Sequence, residues 1–154
     1  MAMQDEKAKQ IERLQDNLQT IRRLAGWSID EMGKRIGVTK QTISNLENKK
    51  TAMTVTQYIA IRAVLDYEIK EHPSDSILKK CIILLLDEEG NMPQEEYSKI
   101  RQSIEAIAAA TVGGVEKSVQ SNLFDALIGK AEVVEKTKGN HDLEVSWLDR
   151  IISK

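Results

Sequence analysis

The stretch from Ser28 to Lys50, SIDEMGKRIGVTKQTISNLENKK, constrains the fold more than any other part of the chain, because it reads as two short helices joined by a tight turn. Ser28-Ile29-Asp30-Glu31 is a capping-box pattern, in which the Ser hydroxyl and the Glu carboxylate satisfy free backbone amides at a helix start. That helix is short and ends by Gly37, whose missing Cβ permits a sharp turn. Thr39 then caps a second helix running to about Asn48. Met32, Ile36, Val38, Ile43 and Leu46 are the apolar side chains that would lock the two at a fixed angle. The outward face of the second helix carries Lys40, Gln41, Ser44 and Asn45. Gln and Asn suit adenine and Lys suits guanine in the major groove. Thr39, Lys49 and Lys50 flank that face and are better placed for phosphate, and Thr42 completes the candidate DNA-binding set. On pattern alone, a plain helical hairpin with its polar residues outward fits as well.

The surrounding sequence is also helical. Two prolines and eight glycines in 154 residues leave long Ile/Leu/Glu/Lys/Gln-rich stretches uninterrupted, which predicts an all-α fold. From about Glu6 to Ala25, apolar residues at Ile11, Leu14, Leu18, Ile21 and Ala25 fall on one face of a single long helix, stopped by Gly26. Thr54-Val55-Thr56-Gln57 is a second capping box, opening a helix to about Glu68. His72-Pro73 then divides the chain into residues 1–72 and 73–154.

From Leu18 to about Leu65 the residues resemble the helix-turn-helix domain of the Cro and phage-repressor type, the XRE family. The likeness lies in LQTIRRLAGWS, in IGVTKQTISNLEN around the turn, and in TVTQYIAIRAVL. It implies a sequence-specific DNA-binding domain, usually dimeric on an inverted repeat, with Lys40, Gln41, Ser44 and Asn45 at the base-contacting positions. Glu47 is then internal to the packing rather than a catalytic acid. Four departures stand out: Ile29 where the family has a phosphate-anchoring Gln, Gly33 for Ala, Lys49 for the Gly that ends the recognition helix, and Arg62 at a small apolar site. Gly33 costs about 1 kcal/mol of helix propensity, and Asn48 or Lys49 has to take up the strained turn.

The second part differs in charge. Residues 1–70 hold 12 basic and 9 acidic side chains, and residues 71–154 hold 10 and 15, so a polyanion would bind the first part. Ile77 to Leu86 is apolar nearly all round and predicts a buried helix, or less readily a strand. Asn91-Met92-Pro93-Gln94 starts another helix, with Tyr97, Ile100, Ile104, Ile107 and Thr111 spaced by threes and fours. About 80 residues with one Phe offer little for an independent core. Ile77, Ile82, Leu85, Tyr97, Ile100, Ile104 and Ile107 are therefore the candidate oligomer interface; the competing reading gives them a local core. Gly113-Gly114 interrupts, Val119, Leu123, Leu127 and Val134 are thinly spread on a loosely held helix, and Leu143 to Lys154 gathers Trp147, Leu148, Ile151 and Ile152 for a neighbouring subunit or a protein partner.

Other functions find little support. The apolar run Cys81–Leu86 is far below the ~20 residues of a membrane span, and the N-terminus lacks an apolar signal core. A single cysteine, Cys81, forms no internal disulfide and sits in an apolar run as an inert thiol, consistent with the cytoplasm. His72 and His141 are isolated and give no metal spacing. Glu88-Glu89 and Glu95-Glu96 are explained by solvation and helix dipoles. Neither a phosphate loop nor a nucleophile with a recognisable base is present, and the helical second part is unlike the strand-rich Ser–Lys domain of self-cleaving repressors. The expectation is a non-enzymatic transcriptional regulator without cofactor, binding double-stranded DNA as a homodimer or higher homo-oligomer. The alternatives are an antitoxin-like or anti-repressor-controlled regulator whose C-terminal part binds a protein, and a helical scaffold that never touches DNA.

Overall fold

The computed structural model describes residues 2–72, 76–87, 92–112 and 117–128. Expectations placed on Pro73, Glu88-Glu89, Asn91, Gly113-Gly114 and everything from 129 onward lie outside the described residues. Among the described residues eight α-helices follow one another, α1 (Ala2–Asp16), α2 (Leu18–Ala25), α3 (Ile29–Ile36), α4 (Lys40–Glu47), α5 (Val55–Glu71), α6 (Ser76–Ile82), α7 (Gln94–Val112) and α8 (Lys117–Leu127). The described residues contain no strand, as an all-α fold requires.

The N-terminal helix is not continuous. It breaks at Asn17 (φ −106°, ψ 7°), between α1 and α2. The apolar face runs through undisturbed, with Leu14, Leu18 and Ile21 all fully buried. Periodicity cannot register the break, which comes from a polar side chain on the buried side. Asn17 is only 1% exposed, and its Nδ2 donates to the Arg13 carbonyl at 2.8 Å and to the Tyr97 hydroxyl at 3.2 Å. Its backbone N–H is shared between the carbonyls of Arg13 and Leu14, both at 3.2 Å. Such local competition for backbone groups is why Asn is a weak helix-interior residue. From α7, Arg101 donates Nε to Asn17 Oδ1 at 2.9 Å and Nη2 to the Asp16 carbonyl at 3.0 Å. Arg13 lies 4.1 Å over the Tyr97 ring, and Tyr97 donates its hydroxyl to the Leu85 carbonyl at 3.1 Å.

The next three helices start on the signals in the sequence. Gly26 (φ 82°) and Gly37 (φ 93°) end α2 and α3 in the left-handed region. Ser28 and Thr39 accept hydrogen bonds from the amides of Glu31 and Thr42. The Ser28 box is only half closed, however, because the Glu31 carboxylate pairs with Arg35 one turn on, at 3.1 Å. The Thr54 box is complete in both directions, and α5 continues to Glu71, three residues beyond the predicted end.

Helix α6 passes into a π-helical turn, Ile83–Asp87. Ile77 to Leu86 is helical throughout and not a strand, and every apolar residue in it is buried. Helix α7 packs along α2 and against α8, whose Phe124 is fully buried beneath Lys80, 5.5 Å from its ring. Val119 and Leu127 on α8 are exposed. One continuous apolar cluster links α1 through α8, from Leu14 to Phe124.

Arg62, which departs from the family's small apolar residue, is buried and donates Nη1 and Nη2 to the two oxygens of Asp87 at 3.3 and 3.4 Å. Burial alone would lower the pKa of its guanidinium. The charge of Asp87, followed by Tyr58 and Asp66, outweighs that effect and raises it, so Arg62 stays charged.

Candidate nucleic-acid interface

Helices α3 and α4 meet through Met32, Ile43 and Leu46, all buried, with Ile36 and Val38 partly covered at the turn. The approach is unusually close at Gly33. A Cβ there would lie 2.7 Å from the Val38 carbonyl oxygen and 3.2 to 3.3 Å from Thr39 backbone atoms. The Gly33 carbonyl in turn accepts the amides of Gly37 and Val38, at 2.8 and 2.9 Å. The departure that costs helix propensity is therefore the residue that lets the turn fold back onto α3.

The buried side of α4 is held from α2. Arg22 donates Nε and Nη2 to the two carboxylate oxygens of Glu47, at 2.5 and 3.2 Å, and Nη1 to the Trp27 carbonyl at 2.9 Å. Both side chains are shielded, 9% and 2% exposed. A bidentate guanidinium–carboxylate fork of this kind fixes orientation as well as distance. Trp27, buried beside it, is covered by Arg35 at 4.5 Å.

The opposite side of α4 faces solvent. Lys40 and Gln41 are exposed, Thr39 is exposed at the cap, and Thr42, Ser44 and Asn45 are half-buried. Their polar groups are partly engaged with one another. Gln41 Nε2 donates to Asn45 Oδ1 at 3.0 Å, and Asn48 Nδ2 to Ser44 Oγ at 3.3 Å. The hydroxyls of Thr39 and Thr42 are 3.0 Å apart. Pairing at i,i+4 orders the two amides in advance and leaves Gln41 Oε1 and Asn45 Nδ2 as acceptor and donor at the surface.

The helix ends in a Schellman motif. Lys49 donates its amide to Leu46 at 3.2 Å and Lys50 to Asn45 at 2.8 Å. Lys49 takes the left-handed position, φ 59°, and no other non-glycine among the described residues has a positive φ. Its ammonium pairs with the carboxylate of Asp16. Next to it, the Gln15 carboxamide spans the loop: Nε2 donates to the Leu46 and Thr51 carbonyls at 2.9 and 2.8 Å, and Oε1 accepts the Met53 amide at 3.1 Å.

A family model described as helix-turn-helix matches residues 18–72. Those residues are a helix-turn-helix domain of the Cro and repressor kind. No curated protein and no solved structure matches the chain. A domain of this family points to a DNA-binding transcriptional regulator and is typically non-enzymatic. The match begins at Leu18, immediately after the Asn17 break, and takes in all of α5.

Of the residues singled out in the sequence, Thr39, Lys40, Gln41, Thr42, Ser44, Asn45, Lys49 and Lys50 lie on α4 or flank its two ends, along one stretch of the domain. The other set is inside. Ile77, Ile82, Leu85, Tyr97, Ile104 and Ile107 are buried within one copy of the chain, and Ile100 is half-buried against the same cluster. The local-core reading accounts for that burial without a second copy. Gln15, Asp16 and Arg22 were missed, because each acts on a backbone, ammonium or carboxylate group 25 to 38 residues away in sequence. Among the described residues no cluster of His, Cys, Asp or Glu could hold a metal ion, and no helix is long and apolar enough to cross a membrane.

Proposed function

We propose that the protein is a cytoplasmic repressor that binds an inverted-repeat operator as a dimer, residues 1–72 contacting DNA and 73–154 serving assembly. Lys40, Gln41, Ser44 and Asn45 read base edges from the major groove. Thr39, Thr42, Lys49 and Lys50 hold the phosphate backbone. The single observation that supports this reading is the two-sidedness of α4, whose inner side is fixed by Ile43, Leu46 and the Arg22–Glu47 fork while its outer side presents Lys40, Gln41, Ser44 and Asn45. Rigid backing is what converts short polar side chains into discriminating contacts. Two copies are needed because few cations surround α4, and each released counterion contributes only modestly to affinity. Half-sites would then lie about 34 Å apart. Assembly draws on surface of the second part outside the buried set.

The test is selection of duplexes from random-sequence DNA by the full chain, followed by Gln41→Ala and Asn45→Ala. Each substitution relaxes preference at particular base pairs by about 1–3 kcal/mol in a symmetric site. Recovery of no preferred sequence by the wild-type chain rejects the reading, and a single asymmetric half-site rejects the dimer.

A further inference from the structure

The helix-turn-helix match starts at Leu18, yet the loop after α4 is tied down from outside it. Gln15, in the last turn of α1, uses both of its amide hydrogens and its oxygen on the backbone of that loop, at Leu46, Thr51 and Met53. Between these anchors stand Lys49 and Lys50. Lys49 holds a left-handed backbone, φ 59°, that side chains rarely adopt and that persists only where the surroundings over-determine it. Two groups of α1 supply that determination: the Gln15 carboxamide and the Asp16 carboxylate on the Lys49 ammonium.

We infer that Gln15 is a positioning residue for DNA binding, fixing the path of residues 48–53 so that Lys49 and Lys50 meet the phosphate backbone. The inference rests on the DNA-binding reading above and extends it to a residue outside the matched domain. Its physical content is a division of labour. The fork of Arg22 on Glu47 orients the base-reading side of α4, whereas Gln15 orients only the loop beyond the helix. Loss of Gln15 therefore weakens the sequence-independent, salt-sensitive part of binding and leaves base preference alone. The turn that carries Gln15 is itself held by α7, through Arg101 on the Asp16 carbonyl and on Asn17.

The experiment uses the full chain and a duplex recovered by the wild-type protein from random-sequence DNA, titrated between about 50 and 200 mM salt. Gln15→Met keeps the length and removes all three hydrogen bonds. Gln15→Glu keeps an acceptor for Met53 but sets an oxygen against the carbonyls of Leu46 and Thr51. Both variants are expected to show a log–log salt slope shallower by about 1 to 2, about one unit for each phosphate no longer met, with the preferred bases unchanged. Amide exchange at Lys50 and Met53 should accelerate while that at Leu65 holds, which also reports whether a variant is folded. In a Lys49→Ala/Lys50→Ala background, Gln15→Met should add almost nothing, since the side chains through which it acts are gone. A full additional loss in that background, an unchanged slope in the Gln15 variants, or altered base preference overturns the inference and leaves DNA binding standing. A wild-type chain that enriches no duplex overturns the DNA-binding reading, and this inference with it.

Discussion

Two buried arginine–carboxylate pairs pin the two ends of the helix-turn-helix domain, and they differ in a way that separates orientation from attachment. At the recognition end, Arg22 grips Glu47 at 2.5 and 3.2 Å and uses its remaining reach on the Trp27 carbonyl. At the far end, Arg62 reaches Asp87 at 3.3 and 3.4 Å, joining α5 to the π-helical turn beyond the match. The first pair lies within the domain and is short and forked. The second spans the domain and the helices after it, and it is longer. Both are shielded from water, so losing one partner strands a charge.

Glu47→Ala should therefore have the largest effect, about 3–5 kcal/mol of stability in urea unfolding, because Arg22 is left buried and unneutralised. Replacing the pair together, Arg22→Met with Glu47→Leu, should cost clearly less than Glu47→Ala alone. A double variant as unstable as the single one would place the destabilisation in poorer packing instead. Asp87→Ala should cost about 2–3 kcal/mol, less than Glu47→Ala because the hydrogen bonds it removes are longer. It should leave the preferred bases of a selected duplex unchanged, whereas Glu47→Ala should erode them. An equal effect of both on base preference would erase the distinction between the two pairs.

The same contrast governs what could be read from the sequence. The boundaries of α3 and α4, the cap at Thr39 and the complete Thr54 box were legible because each is a local agreement between a side chain and an amide three residues on. Glu47 was legible as internal, though its partner was not. The Asn17 break, the Gln15 brace and the Arg62–Asp87 pair were not legible, since each depends on a partner brought close only by the fold. Tyr97, Ile104 and Ile107 show the converse. Their spacing correctly gave one apolar face of α7, but spacing cannot say whether a face is covered by the same chain or by another. The π-helical turn after α6 carries no sequence signal that we can name.

Gly33→Ala sharpens the comparison within the domain, where propensity and packing oppose each other. Alanine gains about 1 kcal/mol as a helix former, but its Cβ would lie 2.7 Å from the Val38 carbonyl oxygen, a backbone atom that moves only with the turn. Overpacking of this kind costs about 1–3 kcal/mol. The expected result is a net loss of about 1 kcal/mol in thermal or urea unfolding, and a gain would show that the turn relaxes freely.

Lys49→Gly should change stability least and tests whether strain is tolerated there for the sake of charge. Glycine relieves a left-handed residue at about 1 kcal/mol, but it also surrenders the exposed pair with Asp16, worth at most about 1 kcal/mol, and frees the unfolded chain. These terms nearly cancel, so unfolding should shift by less than about 0.5 kcal/mol. Binding to a selected duplex should nevertheless weaken, with a salt slope shallower by about 1. A residue kept only to close the helix would be replaced by glycine without loss, since glycine is the better helix terminator. Weaker binding at unchanged stability would instead mean that the side chain justifies its strained backbone by meeting phosphate.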